Sequence, residues 1–170
     1  MTKNVDAMRP ARLEPASPEI RRILLASDLS PTSDVATDWA FRMAASHDAA
    51  LLVVSVIDPG DLLLPSGGFR VRVDQVRDHR ETAAHALVER GRNLGIPVTF
   101  LVWTGEPGES IVAAAGAEDV DVILVGAHSR GPISRFLMGS VSEYVARHAP
   151  CPVLIVRAPA MTDRTALGAA

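Results

Sequence analysis

Five short apolar runs alternate with segments of helical periodicity, and no other feature restricts this chain as strongly. The runs cover residues 23–26, 51–57, 98–103, 120–126 and 152–156. They are nearly continuous in apolar residues, mostly Val, Ile and Leu, instead of alternating with polar ones, as expected of strands covered on both faces. Helical patterns fill the gaps: one running to about His47, then about 71–94, 107–117 and 140–148. Strands alternating with helices of this length imply βαβ units and a parallel sheet. Five such strands suggest a single-domain α/β fold with a doubly wound five-stranded parallel sheet and helices on both faces, and right-handed crossovers limit its topologies. Apolar residues make up 48% of the chain but aromatic ones only 4%, so Val, Ile, Leu and Ala must build the core.

Local signals refine this plan. Ser30 followed by Pro31 predicts the start of the first helix, with Ser30 as N-cap. Val35, Ala36, Trp39, Ala40, Met43 and Ala44 recur on one face of it. Val73, Val76, Ala84, Leu87, Gly91 and Leu94 do the same for the second helix. The sequence Gly95-Ile96-Pro97 ends that helix, and Gly105-Glu106-Pro107-Gly108 starts the next. Residues 58–70 form a Gly- and Pro-rich connection carrying the triplet Leu62, Leu63 and Leu64, which suits a lid, a contact surface or a plain packed loop. A length of 170 residues fits one domain at 21–157. Residues 1–20, with Pro10, Pro15 and Pro18, and residues 158–170, with Pro159 and Gly168, are expected to be flexible tails.

Charge and composition exclude several functions. A net charge of −3, with no run of Lys or Arg, gives no basis for binding nucleic acid or an anionic membrane. Lys3 is the only lysine, which weighs against an enzyme of the P-loop type. Cys151 is the only cysteine; it fits a reducing compartment and reads as a small buried residue. No apolar stretch resembles a leader or a membrane span, so the expected location is cytoplasmic. His47, His79, His85 and His148 share no metal-like spacing, and no metal site is expected. The Gly-x-Gly-x-x-Gly, Gly-Lys-Ser/Thr and Gly-x-Ser-x-Gly patterns are all missing. Ser66-Gly67-Gly68 continues with Phe69-Arg70, unlike the Ser-Gly-Gly-x-Asp-Ser loop of ATP pyrophosphatases.

One segment carries chemistry. Residues 125–157 read as a strand end, a glycine-punctuated loop, a helix start and a last strand. Gly126, Gly131 and Gly139 allow tight turns and close backbone approach, and Ser140 and Ser142 follow at a helix N-terminus. Such a terminus offers unpaired N–H groups to an anion, so the segment suits a phosphate cradle. Its alternative is a plain strand-to-helix connection. Asp28, Asp58 and the 126–139 loop all follow strand ends, where the ligands of such sheets bind, and they can meet in one crevice. Asp28 is either a ligand contact or a turn and capping residue. His128, Arg130, Ser134 and Arg135 either touch a phosphate or face water.

From about residue 20 to 157 the chain resembles the universal stress protein family. ILLASDLSPTSD is similar to the family's opening strand, acidic residue and capped helix, and SVID to its second strand end. The C-terminal block resembles its nucleotide signature of Gly, two residues, Gly, nine residues, Gly, then Ser or Thr. The resemblance implies strand order 3-2-1-4-5, a cytoplasmic stress-response regulator, and a homodimer formed through the last strand. It also implies ATP, with Mg2+, in the crevice between strands 1 and 4. Asp28, flanked by Ala26 and Ser27, would then meet the ribose or adenine side, and Val56 and Val125 would line the adenine pocket. Gly126, Gly139, Ser140, Val141 and Ser142 would meet phosphates and ribose. Ser129 stands where the signature has its second glycine. If that position needs positive φ, serine costs on the order of 1–2 kcal/mol there; its hydroxyl is also able to donate to a phosphate oxygen. The family includes members that bind no nucleotide, so the alternative is a nucleotide-free dimeric interaction protein. Catalysis is not expected beyond slow ATP hydrolysis, because nothing in the sequence positions a water or an arginine for fast turnover.

Overall fold

The computed structural model describes residues 19–30, 33–62, 69–127 and 139–157. The expected tails, apart from residues 19 and 20, therefore lie outside the described residues, as do Pro31, Leu63, Leu64 and Ser66. So do His128, Ser129, Arg130, Gly131, Ser134 and Arg135. The strands are β1 (Arg22–Ala26), β2 (Ala50–Ile57), β3 (Val98–Thr104), β4 (Val122–Gly126) and β5 (Val153–Val156). The helices are α1 (Asp34–His47), α2 (Phe69–Leu94), α3 (Pro107–Ala117) and α4 (Ser140–His148). A short 3-10 turn at Pro59–Leu62 occupies the start of the expected 58–70 connection, and α2 begins before that connection was expected to end.

All strand pairs are parallel, and the order is β3-β2-β1-β4-β5, as expected. Alternating side chains feed two cores. Ile23, Leu25, Leu51, Val53 and Leu124 pack under α1, with Leu87 of α2 at the margin. Leu24, Leu52, Val54 and Ile123 pack against Ile111, Ala114 and Ala115 of α3 and Val145 of α4. The inner strands β1, β2 and β4 read as continuous apolar runs because both of their faces are covered.

The start of the sheet is tied together by polar groups. Asp121 Oδ2 accepts from the backbone N–H of Arg21 and of Arg22, each at 2.8 Å. The Arg22 guanidinium donates to the Glu118 carbonyl at 2.6 Å. Cys151 is half-buried beside the α3/α4 core, and burial first, then the Asp121 charge, raises its thiol pKa.

Three expectations need correction. The first helix does not start at Ser30: Ser33 occupies the N-cap position and α1 begins at Asp34. Ser30 instead bonds to Asp28, and its carbonyl accepts from Ser33 N–H at 2.9 Å, a turn ahead of the helix. Trp39 is 52% exposed, because the narrow stripe Ala36, Ala40 and Ala44, with Thr37 and Phe41, packs inward and leaves Trp39 at its margin. Leu94, in the last turn of α2, is 58% exposed.

Gly91 shows how closely α2 meets the sheet. A Cβ there would stand 2.2 Å from Val98 Cγ2 and 2.7 Å from the Ile96 carbonyl oxygen. Helix propensity alone would make Gly91→Ala stabilising by about 1 kcal/mol. The backbone carbonyl leaves no room to relax, so the expected result is the opposite sign, a loss of about 1–3 kcal/mol in urea unfolding.

Candidate functional site

Helices α1 and α2 cover one face of the sheet, and α3 and α4 cover the other. The winding therefore reverses between β1 and β4, which lie side by side with Ala26 opposite Val125. The helices that follow them, α1 and α4, pack on opposite faces, so the C-terminal edge between β1 and β4 is the switch point at which an open α/β sheet forms a crevice. This is the usual ligand position in an open α/β sheet.

The structure brings most of the expected residues to this edge. Ala26, Val56 and Val125 are buried and face the same side, toward α3 and α4. Gly126 ends β4 opposite Val156. Gly139 is the N-cap of α4 in an extended conformation, and Ser140 is exposed at the first helical position. Val141 packs against the same core as Val125. Ser142 is buried, and its hydroxyl donates to the Gly139 carbonyl at 2.9 Å, so it serves the helix start directly. The N–H groups of residues 140–142 have no partner within the helix, as at any helix N-terminus, and the dipole there favours negative charge. Ser129 lies outside the described residues, as does the rest of the loop between Ala127 and Gly139.

The β1–α1 connection is shaped by hydrogen bonds. Ser27 N–H donates to the Val54 carbonyl at 3.1 Å, one rung beyond the end of β1. Its hydroxyl accepts from Leu29 N–H at 3.0 Å, and Leu29 sits at φ 58°, a left-handed conformation uncommon for leucine. Asp28 Oδ1 accepts from Ser30 N–H at 3.1 Å, from the Ser30 hydroxyl at 2.7 Å and from the Ser33 hydroxyl. Asp28 is thus the organiser of this turn, and it remains solvent-exposed at the crevice. Asp58 similarly accepts from Gly60 N–H at 2.7 Å, closing the turn after β2.

Two residues at this edge escaped sequence reasoning. Arg77 and Arg80 reach from α2 to the ends of β3 and β2. Their signal was a spacing of three along the inward stripe of α2, in positions where a packed helix normally carries apolar residues. Among the described residues no group of His, Cys, Asp and Glu side chains is arranged to hold a metal ion. No helix among them is long and apolar enough to cross a membrane.

An α/β sheet of this order, with its crevice and glycine-capped α4, defines a class of small Rossmann-like proteins. The universal stress protein family model matches residues 19–157. A universal stress protein of Thermus aquaticus is 34% identical over 138 residues, covering 81% of this chain and 98% of that protein. A universal stress protein family structure from Burkholderia pseudomallei has a TM-score of 0.68 at 27% identity, covering 83% of this chain and 98% of the other. An Arabidopsis thaliana family member solved with AMP bound has a TM-score of 0.58 at 20% identity, covering 82% and 93%. The chain belongs to the universal stress protein family.

Replacing Asp28 by Ala removes the common acceptor of two hydroxyls and one N–H. The expected loss is about 1–2 kcal/mol of stability in urea unfolding, whether or not a ligand binds. Asp28→Asn, which keeps an acceptor oxygen, should recover part of it.

Proposed function

We propose that this protein is a cytoplasmic stress-response regulator that binds ATP, with Mg2+, in the β1/β4 crevice. The observation that carries this reading is the common orientation of Ala26, Val56 and Val125 toward the face where α4 begins. A flat apolar wall then adjoins a helix N-terminus, which suits a base at one end and phosphates at the other. Ser27 and Asp28 border the β1 side, and Gly126, Gly139, Ser140, Val141 and Ser142 border the phosphate side. Ser129 belongs to the same loop and would offer a hydroxyl to a phosphate oxygen. The residues present fit a nucleotide-borne Mg2+, since such an ion is bound largely by phosphate oxygens and water. AMP in the Arabidopsis relative supports an adenine nucleotide in general. The output is a population shift: the bound nucleotide biases a conformation or a partner surface. Any hydrolysis is slow and incidental.

Gently purified protein, denatured and analysed by mass spectrometry, should release an adenine nucleotide, and titration with millimolar ATP and Mg2+ should give binding heat. Silence in both measurements rejects the reading. Ser129→Gly should leave affinity unchanged or raise it. A specific observation, serine in place of the signature's second glycine, favours a second reading, a nucleotide-free dimeric interaction protein. Under that reading the wild type binds nothing, and Ser129→Gly creates binding where none existed.

We also propose a homodimer through β5. This strand is last in the sheet order, and Leu154 on it is 36% exposed. An apolar edge invites pairing with a second chain. Sedimentation at tens of micromolar should show a dimer, and Leu154→Arg should shift it toward monomer; a wild type that stays monomeric refutes the proposal.

A further inference from the structure

Arg77 and Arg80 lie on the same stripe of α2 as Ala84, Leu87 and Gly91, the stripe that meets the sheet. Their guanidinium groups are therefore led inward over the C-terminal edge. Arg80 Nη1 donates to the Ser55 hydroxyl at 3.1 Å and to the Val56 carbonyl. Arg77 donates to the Val102 carbonyl at 2.8 Å and to Thr104 Oγ1 at 3.0 Å.

The strand register shows what Arg80 replaces. Along β2 the N–H and C=O of residues 50, 52 and 54 point toward β1, while those of 51 and 57 point toward β3. Val56 belongs to the first set. By that register its carbonyl would next accept from Leu29 N–H if β1 continued. The chain turns away instead, and Leu29 N–H goes to Ser27 Oγ. The last backbone rung found here is Ser27 N–H to the Val54 carbonyl. Val56 thus projects past the end of its neighbour, and a side chain from α2 supplies the donor that the ladder no longer provides. Ser55, whose hydroxyl takes the same guanidinium nitrogen, is buried. A planar guanidinium is suited to hold both acceptors in one fixed geometry.

We infer that Arg80 is a positioning residue for the crevice, holding the end of β2 in place where its ladder with β1 has stopped. This inference rests on the reading of the crevice as a nucleotide site with Val56 on the base side. A wall fixed before the ligand arrives avoids the ordering cost at binding. Arg77 is the natural control. It has the same chemistry on the same helix, but by the β2/β3 register the Val102 carbonyl points away from β2, on the outer edge of β3.

Two measurements on Arg80→Met and Arg77→Met test it. In ligand-free protein, amide hydrogen exchange at residues 56–58 should accelerate about tenfold in Arg80→Met, as losing a charge-assisted hydrogen bond predicts. Arg77→Met should leave those amides unchanged. Unchanged exchange in Arg80→Met overturns the inference. Adenosine and ATP should then both bind about tenfold more weakly to Arg80→Met, by a common factor, and as tightly as wild type to Arg77→Met. A loss confined to ATP overturns the inference, because the arginine would then act on the phosphates. An equal loss in Arg77→Met also overturns it, because the effect would then be general destabilisation. Wild type that binds neither compound rejects the nucleotide reading alone, and the exchange result still decides whether Arg80 holds the strand end. If Arg80→Met does not fold, Arg80→Lys replaces it, with a smaller change in the same direction.

Discussion

The reversal of winding between β1 and β4 is the constraint on which the rest depends. These two strands lie inside the sheet, paired on both edges and covered on both faces. Parallel strands are joined by right-handed crossovers, so stepping from β1 to β2 to β3 puts α1 and α2 on one face. Stepping in the other direction, from β3 across to β4 and on to β5, puts α3 and α4 on the opposite face. The two ends of the sheet then differ. At the N-terminal end Asp121 bonds to the backbone of Arg21 and Arg22 and closes the gap. At the C-terminal end α1 and α4 lie on opposite faces, and β2 continues through Ser55, Val56 and Ile57 after β1 has stopped at Ala26. Backbone groups exposed by that mismatch need partners, and their partners shape the crevice.

The position of α4 is set by packing. A Cβ at Gly108, in the first turn of α3, would lie 2.7 Å from Tyr144 Cδ1, so the Tyr144 ring rests where only glycine leaves space. Tyr144 also stacks on His148 at 4.1 Å between centroids. Close approach of α3 fixes the middle of α4 and, through a helix of only nine residues, its N-terminus as well. The helix end that would face an anion is therefore positioned by a contact in the middle of the same helix.

Most of the fold was legible because its signals are local. Continuous Val, Ile and Leu runs marked the strands to within two residues, and Glu106-Pro107 marked the α3 start, where Glu106 accepts from Glu109 N–H at 3.0 Å. The failures have tertiary causes. Ser30 looked like a cap, but Asp28 claimed its hydroxyl and delayed the helix to Asp34. Trp39 looked buried by spacing alone, but the small residues Ala36, Ala40 and Ala44 bring α1 close to the sheet and leave a large ring at the side. The candidate site was legible where a residue ends a strand or begins a helix. It was not legible at Arg80, because a charged residue on a buried stripe gains its meaning only from a strand 24 residues away in sequence.

Leu29 and Arg80 are best understood together. A leucine at positive φ is strained, and it persists only where surrounding bonds outweigh the cost. Here the bonds are those of Leu29 N–H to Ser27 Oγ and of the serine groups to Asp28. The same turn withdraws Leu29 N–H from the Val56 carbonyl and so creates the vacancy in the ladder that Arg80 fills. A straight continuation of β1 would have paired Val56 and closed the edge; a turn without Arg80 would have left a half-buried carbonyl dependent on water. The turn ends the β1/β2 ladder beside the crevice, and α2 supplies the replacement donor at Val56.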